Sequence, residues 1–189
     1  MIIQPWLELR FRQEQKDWFF ERGGARRWAD DYKGTLFSVR DIEKLNRRLE
    51  NRDQKYYFVE WLAAITLFNR YGLRSLVGQY GSTKLAHKNK VEIIRQRVSA
   101  EVREVIMTKV PAAGTKQGGL PDLFVYRHDS TTDWFFAEVK GPTDSINPSQ
   151  VEKSDLLDQA AKRNVVRLIE VVKEPRDAFR HPTLQRCSN

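Results

Sequence analysis

Cysteine is almost missing: Cys187 is the only one in 189 residues. That excludes a disulfide framework and a cysteine-rich zinc site, and it suits a reducing, cytoplasmic compartment. Histidine is scarce too. His87, His128 and His181 are too scattered to form a ligand cluster. No apolar run is long enough to span a bilayer; the nearest, residues 56–68, is interrupted by Glu60. The opening residues carry no basic-then-apolar leader, so no secretion signal is expected. Residues 78–81 lack the Lys-Ser/Thr ending of a phosphate-binding loop, so no nucleotide cofactor is expected. Repeats, low-complexity tracts and Pro/Gly/Ser linkers are absent as well. Charge is plentiful and uneven, with 33 Lys+Arg against 25 Asp+Glu and a net +8. An excess of this size favours an anionic partner, nucleic acid first among them.

Hydrophobic periodicity divides the chain into elements. Leu7, Leu9 and Phe11 alternate as in a strand, and residues 18–32 read as a short helix interrupted at Gly23-Gly24. Ser38 followed by Asp41 resembles a helix start, with Val39, Ile42, Leu45 and Leu49 at helical spacing behind it. A helix is expected over residues 55–71, stopped at Gly72. Residues 83–110 suggest further helix, broken near Ser99. Residues 122–126 and 134–140 read as strands joined by a polar loop, residues 148–163 as a helix, and residues 165–172 as a buried strand. This order predicts an α/β class, or α+β, with a mixed sheet flanked by helices.

The chemically informative stretch is Gly118-Gly119-Leu120-Pro121-Asp122, followed by Glu138-Val139-Lys140. Glu138 and Lys140 leave one face of a strand and Val139 the other. A hairpin that pairs Tyr126 with Trp134 sets Asp122 opposite Glu138, with Cβ atoms about 4.5–5.5 Å apart. Like charges at that range repel, unless a hard divalent cation such as Mg²⁺ or Mn²⁺ is ligated between them. Lys140 beside them can orient or deprotonate a water and stabilise charge on a phosphate. Read blandly, the same residues are a surface hairpin with a Glu/Lys pair. Glu60, alone among apolar neighbours, is either salt-bridged at a helix edge or a third carboxylate of the same site. Glu92 is its rival as the helix-borne acid.

Gly119-Leu120-Pro121-Asp122-Leu123, Glu138-Val139-Lys140-Gly141-Pro142-Thr143-Asp144 and Gln150 together resemble the virus-type replication-repair nuclease (VRR-NUC) domain of the PD-(D/E)XK superfamily. Val59-Glu60-Trp61-Leu62-Ala63, Asn69-Arg70-Tyr71-Gly72 and Gly81-Ser82-Thr83 extend the likeness towards the Fanconi-associated nuclease branch. The likeness spans residues 59–172. It implies a restriction-endonuclease-like core, a mixed sheet flanked by helices, and Mg²⁺- or Mn²⁺-dependent hydrolysis of DNA phosphodiesters. By position, Asp122, Glu138 and the Val139 carbonyl would bind metal. Lys140 would be the catalytic lysine, Glu60 the helix-borne acid and metal-site carboxylate, and Gln150 a residue that orders the site.

This divides the chain into a helical N-terminal extension (1–55) of unassigned role, a nuclease-like core (56–175) and a tail (176–189). The extra DNA-binding and helical-repeat domains of the large eukaryotic members have no room here. Small stand-alone members resemble Holliday-junction resolvases and act as dimers, so a homodimer is one expectation. Others look like interbacterial toxins, delivered into a target-cell cytoplasm and held by an immunity protein. A nucleic-acid-binding module that no longer cuts is the remaining alternative. The basic residues Lys84, Lys88, Lys90, Arg95 and Lys116 are the candidates for DNA contact, against the plainer reading of a solvated helix face. Backbone contacts of that kind would select DNA shape rather than base sequence.

Overall fold

The computed structural model describes residues 5–39, 41–43, 57–78, 80, 88–107 and 119–175. Strand β1 is Leu7–Phe11. Helices α1 (Gln13–Glu21) and α2 (Gly24–Asp31) follow it. Next come α3 (Phe58–Tyr71), β2 (Leu73–Val77), α4 (Lys88–Arg95) and α5 (Ala100–Met107). The chain then forms β3 (Leu123–Arg127), β4 (Trp134–Lys140), α6 (Pro148–Ala161) and β5 (Val166–Lys173). The class is mixed α and β, as expected: five strands in the order β1-β5-β4-β3-β2 curl into a half-barrel flanked by helices. β1, β5 and β4 run parallel, while β4, β3 and β2 are antiparallel neighbours.

Local chemistry explains the boundaries. Gly23 takes φ +72°, and a Cβ on Gly24 would lie 2.2 Å from the Trp18 ring. The glycine pair therefore ends α1, starts α2 and lets the two helices close on each other. Ser38 and Asp41 form a reciprocal cap: the Ser38 N–H donates to Asp41 Oδ2 (2.9 Å) and the Asp41 N–H to Ser38 Oγ (3.3 Å). Leu45 and Leu49, expected to extend that helix, lie outside the described residues. Gly72, in the left-handed region at φ +66°, ends α3. The helical stretch around Ser99 is broken there, with α4 before it and α5 after it.

Strand β4 is buried on both faces and packs a core on each. Towards α1–α3 it contributes Phe135, Ala137 and Val139, which meet Phe19, Phe58, Trp61 and Leu67. Towards α4–α6 it contributes Trp134 and Phe136, which meet Tyr80, Ile94, Val102 and Leu157. Burial on both sides is why its sequence reads as a nearly continuous apolar run.

The N-terminal part corrects one expectation. Residues 5–43 are not a helical extension set beside a core. β1 pairs with β5 from Leu7↔Ile169 to Phe11↔Lys173, as the outer parallel strand of the sheet. Phe11 and Phe19 meet the Phe58 ring edge-on at 5.2 and 5.3 Å, and Phe37 stacks on Trp61 at 3.9 Å. A boundary at residue 55 therefore cuts through one core, because α3 has its apolar face covered by the first forty residues. Residues 176–189 lie outside the described residues, and with them His181 and Cys187. Among the described residues, no helix is long and apolar enough to cross a membrane.

Candidate metal and phosphate site

Asp122 sits immediately before β3, and three contacts hold it there. Its Oδ2 accepts the Val139 N–H at 2.9 Å, and its carbonyl accepts the Gly78 N–H at 3.0 Å. The preceding Pro121 carbonyl accepts the hydroxyl of buried Tyr80 at 2.5 Å. The β3–β4 register is the expected one, Leu123↔Ala137 through Tyr126↔Trp134, which continues to place Asp122 across from Glu138. The two carboxyls act directly on each other, and both are shifted upward. Burial, followed by the Asp122 charge, raises Glu138 to about 7. Burial also raises Asp122, against the pull of the Val139 N–H and the Lys140 charge.

Lys140 and Gln150 complete a closed set around Glu138. The Lys140 ammonium lies 2.8 Å from Glu138 Oε1 and donates to Gln150 Oε1 at 2.9 Å. The Gln150 amide nitrogen donates back to Glu138 Oε1. Gln150 is oriented by its place in the helix. Asn147 caps α6, with Oδ1 accepting the Gln150 N–H at 2.9 Å, and the Asn147 N–H donates to Gln150 Oε1 at 3.1 Å. Pro148 opens the first turn. This capping box turns the Gln150 oxygen towards Lys140 and its nitrogen towards Glu138.

Glu60 enters from α3 on the other layer. Burial first, then the charges of Asp122 and Asp144, raise it to about 7. Its Oε2 is buried and makes no hydrogen bond among the described residues. It forms no ion pair among them either, so the helix-edge salt bridge of the plainer reading is not realised. Asp144 closes the turn after β4 by accepting the Gly141 N–H at 3.0 Å. A Cβ on Gly141 would stand 3.1 Å from the Asp144 carboxylate and 3.5 Å from Val59, so β4, this turn and α3 approach closely here.

A hard divalent cation fits this donor set. Asp122 and Glu138 face each other across the hairpin, and Glu60 offers a buried oxygen with no hydrogen-bond partner among the described residues. Among the described residues, no three His, Cys, Asp or Glu side chains converge as a metal cage, so Glu60 does not close on the Asp122–Glu138 pair in this structure. Val139, expected to offer its carbonyl, is placed between the carboxylates with its N–H on Asp122.

The basic residues expected to touch DNA separate into three groups. Lys90 is corrected: its ammonium is buried, 2.6 Å from Asp41, and donates to the Val77 and Gly78 carbonyls at 2.8 and 3.2 Å. It joins α4 to the end of β2 and faces no solvent, because an ion pair beneath the helix absorbs its charge. Lys88 and Arg95 are exposed on α4, and Arg95 binds Glu92 through two 2.8 Å hydrogen bonds. Those bonds hold Glu92 at about 2, on the surface, so it is no rival to Glu60. Lys84 and Lys116 lie outside the described residues. Tyr80 and Asn147 were not among the expected site residues, and Asp144 was noted only within the Glu138–Asp144 motif, without a role. Asn147 carries a readable signal in Asn-Pro-x-Gln, whereas Tyr80 has no motif that would have revealed it.

No family model, no curated protein and no solved structure matches this chain.

Proposed function

We propose that this chain is a metal-dependent deoxyribonuclease of the PD-(D/E)XK type, related to the VRR-NUC pattern, acting on DNA phosphodiester bonds in a reducing, cytoplasmic compartment. The observation that carries the reading is the buried Asp122–Glu138 pair with Lys140 locked beside it by Gln150. A structural hairpin has no need to bury two mutually repelling carboxyls next to an ammonium, since replacing such a group with apolar residues is often neutral or stabilising.

Asp122 and Glu138 would hold Mg²⁺ or Mn²⁺, with Glu60 behind them. Bound there, the ion would supply positive charge for the scissile phosphate and make water more acidic. The rest falls to the chain's own residues. In their ionised forms Asp122 and Glu138 would serve as anionic oxygen donors. Lys140 orients the attacking water and stabilises the negative charge that builds on the phosphate. Gln150 fixes the spacing between Lys140 and Glu138. Burial of the carboxyls keeps bulk water from competing for their oxygens. None of these groups reads a base edge, so the cleavage centre carries no sequence preference of its own.

The test is nicking of supercoiled plasmid with Mg²⁺, with Mn²⁺ and with EDTA. Wild type should cut only with metal. Lys140→Ala should stay folded and bind DNA, but lose cleavage by roughly 10²–10⁴-fold. Undiminished metal-dependent cutting by that purified variant would overturn the assignment.

A further inference from the structure

A second cluster sits at the other end of β4, around the β3–β4 hairpin. Trp6 precedes β1, and its N–H donates to the Leu168 carbonyl at 2.9 Å, so the residue is held to the sheet. Its ring is nevertheless 43% exposed. It meets the buried Phe135 ring edge-on at 5.0 Å. The Arg167 guanidinium fills the angle between them, 4.6 Å from the Trp6 ring centre and 4.1 Å from that of Phe135. On the sheet's other face, the Arg163 guanidinium lies 4.6 Å over Trp134 and donates to the Trp134 carbonyl at 3.1 Å.

Two features set this cluster apart from an ordinary solvated surface. Arg167 makes no hydrogen bond or ion pair among the described residues, although a guanidinium carries five N–H donors. It is also partly desolvated, and the nearby Arg163 charge adds to the cost of keeping it ionised. Asp133 is the acidic group it feels, and that carboxylate is already engaged by Arg127 at 2.9 Å. A planar cation seated on two rings, with its side-chain donors unspent, is complementary to an oxyanion. The half-exposed indole next to it offers a flat face to a base. Unpaired nucleotides provide both, whereas bases in a duplex are already stacked on each other.

We propose that Trp6 and Arg167 form a second nucleic-acid contact, a platform that stacks an unpaired base on Trp6 and binds its phosphate through Arg167, with Arg163 at the same end of β4, on the sheet's other face, as a flanking phosphate contact. It rests on nucleic acid being the partner, as in the reading above, but not on cleavage. The site would therefore favour DNA with a single-stranded segment.

The experiment is fluorescence anisotropy of labelled dT20, and of a blunt 20-base-pair duplex, with the full chain in EDTA. Trp6→Ala and Arg167→Gln should each weaken dT20 binding by roughly 5- to 100-fold, and duplex binding by less than about twofold. Arg163→Gln should lower the salt slope for dT20 by about 0.7, the loss of one phosphate contact. Thermal melting checks that the variants are folded; Arg167→Gln, which keeps both rings in place, carries the test if Trp6→Ala melts early. Wild-type dT20 affinity in folded Arg167→Gln would overturn the platform, and so would the finding that the patch binds only an acidic peptide. Plasmid nicking run in parallel separates the two readings. Cutting by wild type with unchanged dT20 binding in the variants sinks the platform alone, while no cutting with weakened dT20 binding sinks the nuclease alone.

Discussion

Glu60 and Glu138 are both raised from 4.5 to about 7, in each case mainly by burial and then by Asp122. A carboxyl with a higher pKa folded than unfolded has a definite effect on stability. Below about pH 4.5 it is protonated in both states and contributes nothing. As pH rises from there to about 7, the unfolded chain loses its proton first, so stability falls, and above about 7 the penalty is complete. Glu60→Gln should accordingly raise the melting temperature at pH 8 and leave it nearly unchanged at pH 4. The gain should approach about 3 kcal/mol, or several degrees for a chain of this size. Mn²⁺ should produce a stabilisation of the same sign in wild type, growing between pH 6 and 8 as the carboxyls raised to about 7 become easier to ionise. Melting curves with and without metal at these pH values check both. Lys90 belongs to a different class of residue. Lys90→Ala takes the ammonium from half-buried Asp41, which keeps its Ser38 contacts, and from the Val77 and Gly78 carbonyls, and should cost about 1–3 kcal/mol in denaturant unfolding, whatever the DNA.

At the scale of elements, what could be read early and what could not divides along physical lines. The hairpin itself was legible from two apolar runs and a polar loop, but the pairing of Tyr126 with Trp134 was an assumption that the observed register matches, because strands buried on both faces leave a slip of two open. α6 was legible through Asn147-Pro148 and the Gln150 capping position. The pairing of β1 with β5 was not, because Leu7, Leu9 and Phe11 say that a strand exists and nothing about a partner more than 150 residues away. The same holds for α1 and α2, whose aromatic residues look like any amphipathic helix until Phe58 and Trp61 are placed against them. Phe19→Ala tests that docking: it should cost about 3–5 kcal/mol, as a large side chain lost from a packed core does. A cost near zero in chemical denaturation would mean that α1 is an appendage after all.

Over the whole molecule, the half-barrel separates two kinds of chemistry along one strand. The C-terminal end of β4 gathers carboxyls, an ammonium and an amide; its N-terminal end gathers arginines on aromatic rings. The net charge of +8 acquires a location in this arrangement. Its exposed contributors include Arg95 and Lys88 on α4 and Arg163 near the hairpin, while Lys90 is withdrawn into the interior. DNA affinity should fall steeply with salt, and the slope should be reduced by Arg163→Gln but not by Lys90→Met, which removes a charge that DNA cannot approach.

Residue types and their spacing were enough for the strand–strand–helix–strand order and for a hairpin that brings Asp122 near Glu138 and Lys140, and the likeness to a nuclease pattern added Gln150. These four residues lie within about thirty residues of one another, where hydrogen-bond geometry and side-chain alternation leave few choices. The remainder was decided by contacts between distant segments: β1 joining the sheet, Glu60 arriving from α3, Tyr80 holding Pro121, Lys90 turning inward and Arg167 coming to rest on Trp6. Burial sets the pKa of a carboxyl and the availability of a cation, and burial depends on which surfaces the fold brings together. A lysine in a basic run and a tryptophan near the start of the chain look alike as letters whether they face water or core.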